Sequence, residues 1–290
     1  MTALRDKLTD LWYARELLRQ FVAKELKIRY KNSALGFLWS MLTPALMTVV
    51  FTALFGFAFD LQIDDYAAFF LAGYLLWQFF QTSVQGSIQA IVGNGDLIKK
   101  VYFPREVLPL SIVLAQLVHF LLAVLVLSPY LVVVRGWGVL THLPAALLVV
   151  ALLTVFNAGM AMLFAGANVP FRDLQELIVV IFLVWFYATP VLYPPALLAN
   201  ADSTLVQALG RVASLNPMTW FVQLFRSATF GVVQVAGVTS GSAADARFVT
   251  SAPTWPDPAL LLAAAVAAFA TFAVGYLVFN RLALTFAKEV

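Results

Sequence analysis

Six stretches of the chain run without a single Asp, Glu, Lys or Arg: residues 37–59, 67–92, 107–134, 144–168, 177–195 and 259–280. Each comes close to or exceeds the ~20 residues that carry an α-helix across the hydrocarbon of a bilayer. None alternates polar and apolar positions as the strands of a membrane barrel do. Lipid offers backbone groups no water to bond, so only helices and closed barrels cross it. The pattern predicts an all-α integral membrane protein with six transmembrane helices.

The segments between these runs have patterns of their own. In residues 1–33, Leu8, Leu11, Trp12, Leu18, Phe21, Val22 and Leu26 recur at helical spacing, bordered by Arg15 and Arg19. This predicts an amphipathic helix lying in the cytoplasmic interface, with Trp12 and Tyr13 at headgroup level, ahead of a six-span domain at 34–290. Residues 93–106 form a polar, basic turn in which Leu97, Ile98, Val101 and Tyr102 make an amphipathic turn that Pro104 ends. Residues 169–177, VPFRDLQEL, set Arg172 beside Asp173 in a second short turn. In the long segment 196–258, Asn216 can cap a helix with Pro217 at its first position. Trp220, Phe221, Leu224 and Phe225 are too apolar for a free loop, so short external helices or a re-entrant pair are expected there. Residues 231–258, rich in Gly, Ser, Ala, Thr and Pro, read as a flexible external loop.

Within the spans, Pro44 removes an amide donor and should kink the first helix, and Thr48, Phe51 and Phe55 continue its face. In the second, Gln78, Gln81, Gln85 and Gln89 form an amide stripe that Tyr74 begins. Two readings stand: hydrogen bonding between helices, or a polar, uncharged wall for a hydroxyl-rich substrate. The third span holds Pro109, Gln116, Pro129 and His119, read as a neutral imidazole bonded to a neighbouring helix rather than as a catalytic group. The fourth carries Asn157, Gly159, Ala161, Ala165 and Gly166, small residues that let helices approach closely. The fifth is aromatic at Phe182, Trp185, Phe186, Tyr187 and Tyr193 and is broken by Pro190, Pro194 and Pro195. Core packing explains most such rings, but sugars also stack their C–H faces on aromatics.

Composition agrees: 62% of the 290 residues are hydrophobic and 11% charged, with a mean hydropathy of +0.89, far outside the range of soluble domains. The net charge of +3 hides an asymmetry. Fourteen of the eighteen Lys and Arg fall on one side of the predicted membrane, and Arg135, Arg211, Arg226 and Arg247 on the other. The positive-inside rule then places both termini in the cytoplasm of a multi-pass plasma-membrane protein. The leading residues are too charged for a cleavable signal peptide, so the first span serves as an uncleaved insertion signal. There is no Cys, hence no disulfide or thiolate site. The spans lack the ionisable relay of a proton-coupled carrier, and two His in the whole chain make no metal site. No GxxxxGK[ST] loop occurs. If the chain drives transport, it holds no cofactor of its own and the energy enters from a partner.

Four stretches in order resemble the membrane subunit of type-2 ABC exporters, in the branch that moves lipid-linked polysaccharides such as O-antigen, capsule, teichoic acid and galactan. KELKIRYKNSALGFLWSMLTPALMTVVFTALFG (24–56) resembles the entry into that branch's first span, and NGDLIKKVYFPREVLPL (94–110) its coupling helix. VPFRDLQEL resembles its second cytoplasmic turn, and LNPMTWFVQLFR (215–226) its external gate. The resemblance implies that Asp96, Leu97, Lys99, Lys100, Tyr102 and Phe103 seat in a cleft of an ATPase subunit, with Arg172 and Asp173 at a second contact. Lys27, Arg29 and Tyr30 would flank the lipid headgroup entrance. Tyr74, the four glutamines, Phe51, Phe55 and Trp185 would line a channel, and Pro190, Tyr193, Asn216, Pro217 and Trp220 would form the gate. Two copies would pair above two ATPase chains that bind ATP and Mg; membrane lipids and a lipid-linked glycan complete the partners, with no nucleic acid. The alternatives are a type-2 exporter of a small hydrophobic drug or lipid and, more remotely, a membrane-embedded glycan-modifying enzyme.

Overall fold

The computed structural model describes residues 14–30, 37–59, 61, 63–199, 203–236, 247–283 and 286. The expected Leu8, Leu11, Trp12 and Tyr13 lie outside them. Helix α1 spans Arg15–Tyr30; α2, Phe37–Phe51, widens to π-helical pitch over Thr52–Ala58; α3 spans Tyr66–Ile88. A six-residue α4 (Gly95–Lys100) leads to α5 (Val107–Arg135), a one-turn α6 (Gly138–Thr141), α7 (Leu143–Ala167) and α8 (Leu174–Ala188). Short helices α9 (Pro195–Ala199), α10 (Thr204–Leu215) and α11 (Pro217–Thr229) precede strands β1 (Val233–Ala236) and β2 (Arg247–Thr250) and the final α12 (Pro258–Leu282).

A helix therefore occupies each charge-free run. Among the described residues, four are long and apolar enough to cross a membrane: α2 with its continuation (Met41–Ala58), α5, α7 and α12. Helix α3 has the length, at 23 residues, but its glutamines dilute its hydropathy. Helix α8 is shorter than the 177–195 run. It stops at Ala188 because Thr189 precedes Pro190, and the residue before a proline is driven out of the α region; Thr189 is extended at φ −97°, ψ 131°.

Helix α3 is the axis of the bundle. Phe69, Phe70, Leu76, Trp77, Phe80 and Val84 are almost wholly buried, under α5, α7, α8 and α11. Helices α2, α5, α8 and α12 instead turn long aliphatic rows outward, as in Leu46, Val49 and Val50, or Val179, Val180 and Val184. Apolar exposure on this scale suits lipid rather than water.

The most extensive helix pair is α7 with α12, and the small residues of α7 explain it. A Cβ on Gly159 would lie 2.6 Å from the backbone of Phe272, and one on Gly275 would collide with the Gly159 carbonyl. Ala161 and Ala165 are buried beside them. Gly275→Leu is expected to force the helices apart, at the upper end of the ~1–3 kcal/mol that overpacking costs. A lowered unfolding temperature in detergent checks this, and an unchanged one contradicts it.

At 29 residues, α5 is about 43 Å long at ~1.5 Å per residue, and it defines two ends. Near its start, Arg105 Nη1 donates to the Ala283 carbonyl just past α12. At its finish, Arg135 donates through Nε to Phe230 O at 2.7 Å and through Nη2 to Ser251 O. The second bond pins a two-stranded antiparallel hairpin, with Val233 opposite Thr250, where the sequence read a flexible loop. β-Branched residues on both strands explain the pairing.

Candidate functional site

The α4 end carries both short turns. Ile98 is buried among Ala90, Ile91 and Leu108, and Phe103 stacks on Phe21 of α1 at 6.3 Å. These two anchors turn the chain so that Asp96, Lys99, Lys100, Val101 and Tyr102 are exposed, Leu97 half-buried and Tyr102 completely bare. Of the amphipathic face expected from Leu97, Ile98, Val101 and Tyr102, Ile98 is buried, Leu97 half-buried and the other two exposed. Val101 is extended, which swings it and Tyr102 away from the helix. Arg172 and Asp173 are exposed at the start of α8. The two turns are linked, since Gln89 Nε2 donates to Gln175 Oε1 and Asn168 Nδ2 to Ile88 O at 3.1 Å.

Helix α1 packs on α5 through half-buried Leu18, Phe21, Val22 and Leu26, with Lys27 outward. Arg29 and Tyr30 complete the helix, but their side chains lie outside the described ones. Glu25, Leu26 and Ile28 face Gly86, Ile112 and Gln116 across a crevice of about 260 Å³.

The amide stripe occupies the least covered face of α3: Tyr74, Gln78, Gln81 and Gln85 are half-buried and Gln89 exposed, while most of the helix is buried. One flank is aromatic. Tyr74 meets Phe186 edge-on at 6.4 Å, and Gln81 accepts from Trp77 Nε1 at 3.0 Å. On the other flank Gln78 and Thr82 share a narrow cleft with Gln116 and His119 of α5. Phe51 packs at a tilt on Phe70 at 5.0 Å, and Phe55 stacks on Tyr66 at 6.1 Å. Trp185 packs edge-on against Trp77 and Phe80.

The hairpin end is tied by two polar knots. Asn216 caps α11 by accepting from Met218 N at 3.0 Å, as its place before Pro217 predicts. The same amide accepts from Trp185 Nε1 at 2.9 Å and donates to Thr189 Oγ1 at 2.8 Å. Trp220 Nε1 donates to Ser214 O at 2.6 Å and Tyr193 OH to Tyr187 O at 2.9 Å. Asn216→Ala should lower stability by ~1–2 kcal/mol for the cap, with added loss from the stranded indole. A smaller shift in detergent unfolding than in a surface-Asn control would contradict this.

The second knot centres on Arg226, which sequence reasoning counted only as an external charge. It is 4% exposed. Its guanidinium donates to Phe69 O (3.1 Å), Pro190 O (2.6 Å) and Val191 O (2.5 Å) and lies 3.6 Å from the Phe69 ring centroid. Tyr66 OH takes the next carbonyl, Leu192 O, at 2.7 Å. Backbone without helical partners is tolerated at such depth only when the protein satisfies it. Arg226 and Tyr66 do so for the break after α8. Gly73 leaves room, since a Cβ there would strike the guanidinium. A glycine in the apolar half of a span, and an arginine ending an apolar helix, were the available signals.

The profile of the ABC-2 type transporter family matches residues 16–230, from α1 to the residue after α11. The chain belongs to that family. Relatives of this ABC-2 transporter include the O-antigen export system permease protein RfbA of Myxococcus xanthus, 37% identical over 217 residues (74% of this chain, 82% of that protein). RfbA of Klebsiella pneumoniae is 32% identical over 75% of this chain and 81% of its own length. The polysialic acid transport protein KpsM of Escherichia coli is 23% identical over 59% and 67%. The matched region of the transporter holds the α4 turn, the amide stripe and both knots, and leaves out the hairpin and α12.

Proposed function

We propose that this chain is the six-span permease subunit of an ATP-driven exporter that carries a lipid-linked polysaccharide from the cytoplasmic leaflet of the inner membrane outward. The observation that carries the reading is the naming of its relatives as O-antigen export permeases, at up to 37% identity over three-quarters of the chain. The site supports it. The outward Lys99, Lys100 and Tyr102, with Arg172 and Asp173 at the same end, form the surface for a cytoplasmic ATPase that binds ATP and Mg. Lys27, exposed on the outward side of α1, is the cation offered to the diphosphate headgroup of an isoprenoid carrier, with Arg29 and Tyr30 following it in the sequence. The open amide face of α3, between outward aliphatic rows of α2 and α8, suits a channel completed by a second copy. Closure of two ATPase subunits would push α4, tilt α3 and α5, and part the outer knots.

Deleting the gene should strip the cell surface of one polysaccharide and leave its lipid-linked form inside, readable by carbohydrate staining and lipid extraction. A wild-type surface overturns the reading, as does drug sensitivity as the sole phenotype, which would favour a small-molecule exporter. Gln81→Leu with Gln85→Leu should slow polymer export in an assembled complex about tenfold, near the ~1.4 kcal/mol of one lost amide contact along the path. Export at the wild-type rate assigns the stripe to packing.

A further inference from the structure

We propose that the hairpin end holds a binding pocket for a neutral saccharide, reached by the glycan as it leaves the transporter. The proposal rests on the exporter reading above, which makes this the outer end. The pocket is an open cavity of about 400 Å³ between α9, α11, the hairpin and the start of α12, within the ~300–1,000 Å³ usual for small-molecule sites. Its apolar floor includes Phe69 and Leu260, and its rim carries Gln223, Ser227, Thr254, Trp255 and Asp257. Trp255 is 65% exposed, its one ring contact among the described residues being edge-on to His142 at 5.9 Å. An exposed indole beside a cavity is available as a platform for the C–H face of a sugar ring.

The hydrogen-bonding groups point the same way. The Gln223 amide, the Thr254 hydroxyl and the Trp255 indole N–H bond nothing among the described residues, and Asp257 spends one carboxylate oxygen on Ala259 N at 3.0 Å. Donors and acceptors are thus both open, as hydroxyl groups require. Charge excludes the other candidate occupant, a phosphate headgroup. The two arginines nearby are spent on backbone carbonyls, Arg226 on three and Arg135 on two. Among the described side chains, the charge left open at the rim is the Asp257 carboxylate, which repels anions. A neutral polyol satisfies the rim.

The test uses the full chain in lipid nanodiscs and saturation-transfer NMR. Probes are linear trisaccharides to hexasaccharides of glucose, mannose, galactose, rhamnose and N-acetylglucosamine; a sialic acid trimer and inorganic pyrophosphate are the anionic comparators. At least one neutral series should show transfer, and Trp255→Ala should weaken it about tenfold. Gln223→Leu with Thr254→Val should weaken it too; this pair serves alone if Trp255→Ala fails to elute as the wild-type particle. Transfer to no neutral series, equal transfer to the anions, or transfer unaffected by the variants overturns the proposal. The exporter reading is judged separately, by the surface polysaccharide of the deletion strain. Intact export dependence without pocket binding removes the pocket alone.

Discussion

Arg226→Met is expected to destabilise the hairpin end of the bundle by ~3–5 kcal/mol, a large share of the ~5–15 kcal/mol that holds a folded domain together. Methionine fills most of the volume but donates nothing. The carbonyls of Phe69, Pro190 and Val191, now met by one guanidinium, would be left in apolar surroundings. Each stranded acceptor costs ~1–3 kcal/mol. Arg226→Lys should recover only part of the loss, because a single ammonium cannot reach three acceptors in the plane that a guanidinium spans. Gly73→Ala should mimic the loss with Arg226 intact, by pushing the guanidinium off its seat. Unfolding of purified protein in detergent checks the order: wild type, Lys variant, Met variant. Equal stability of wild type and Arg226→Met would show that the three bonds contribute nothing.

That arginine also shows where reading the sequence stops. The helices of the charge-free runs are legible because exclusion of charge is a local rule, visible in every run from 37 to 280. The cap at Asn216 is legible for the same reason, since the capping residue and Pro217 are neighbours. The fate of Arg226 depends on Phe69, Pro190 and Val191, up to 157 positions away along the chain, and no local pattern tells a satisfied cation from a solvated one. The amide stripe is intermediate. Its spacing puts five side chains on one face of α3, but only packing shows that face to be the uncovered one on the most buried helix. The hairpin was hidden by composition, because Gly, Ser and Ala around the loop outweigh the short β-branched runs that pair. The end of α8 was half legible: Pro190 announced a break, while the apolar run continued past it because the chain stays buried without being helical.

Lys99→Glu with Lys100→Glu should abolish coupling while leaving the fold intact. Both side chains are exposed at the end of α4. The turn is held by buried Ile98 and by the Phe103–Phe21 stack, which the substitutions do not touch, so stability should change by no more than ~0.5 kcal/mol. The surface potential changes far more, since two cations become two anions on each chain. A partner cleft complementary to the basic turn would face like charge, at a cost of several kcal/mol. Co-purification with the ATPase and polysaccharide export should therefore fall together, each about tenfold or more, while the protein still inserts. Lys99→Gln with Lys100→Gln should fall between, and its remaining binding should lose salt sensitivity as screening finds less to screen. Tyr102→Ala removes the barest side chain of the turn, which nothing among the described residues supports. A loss of export there without a loss of stability would place the partner's contact on that ring. Wild-type export and co-purification in the Lys99→Glu, Lys100→Glu chain would instead mean that energy enters elsewhere, with Arg172 and Asp173 at the start of α8 the next surface to reverse.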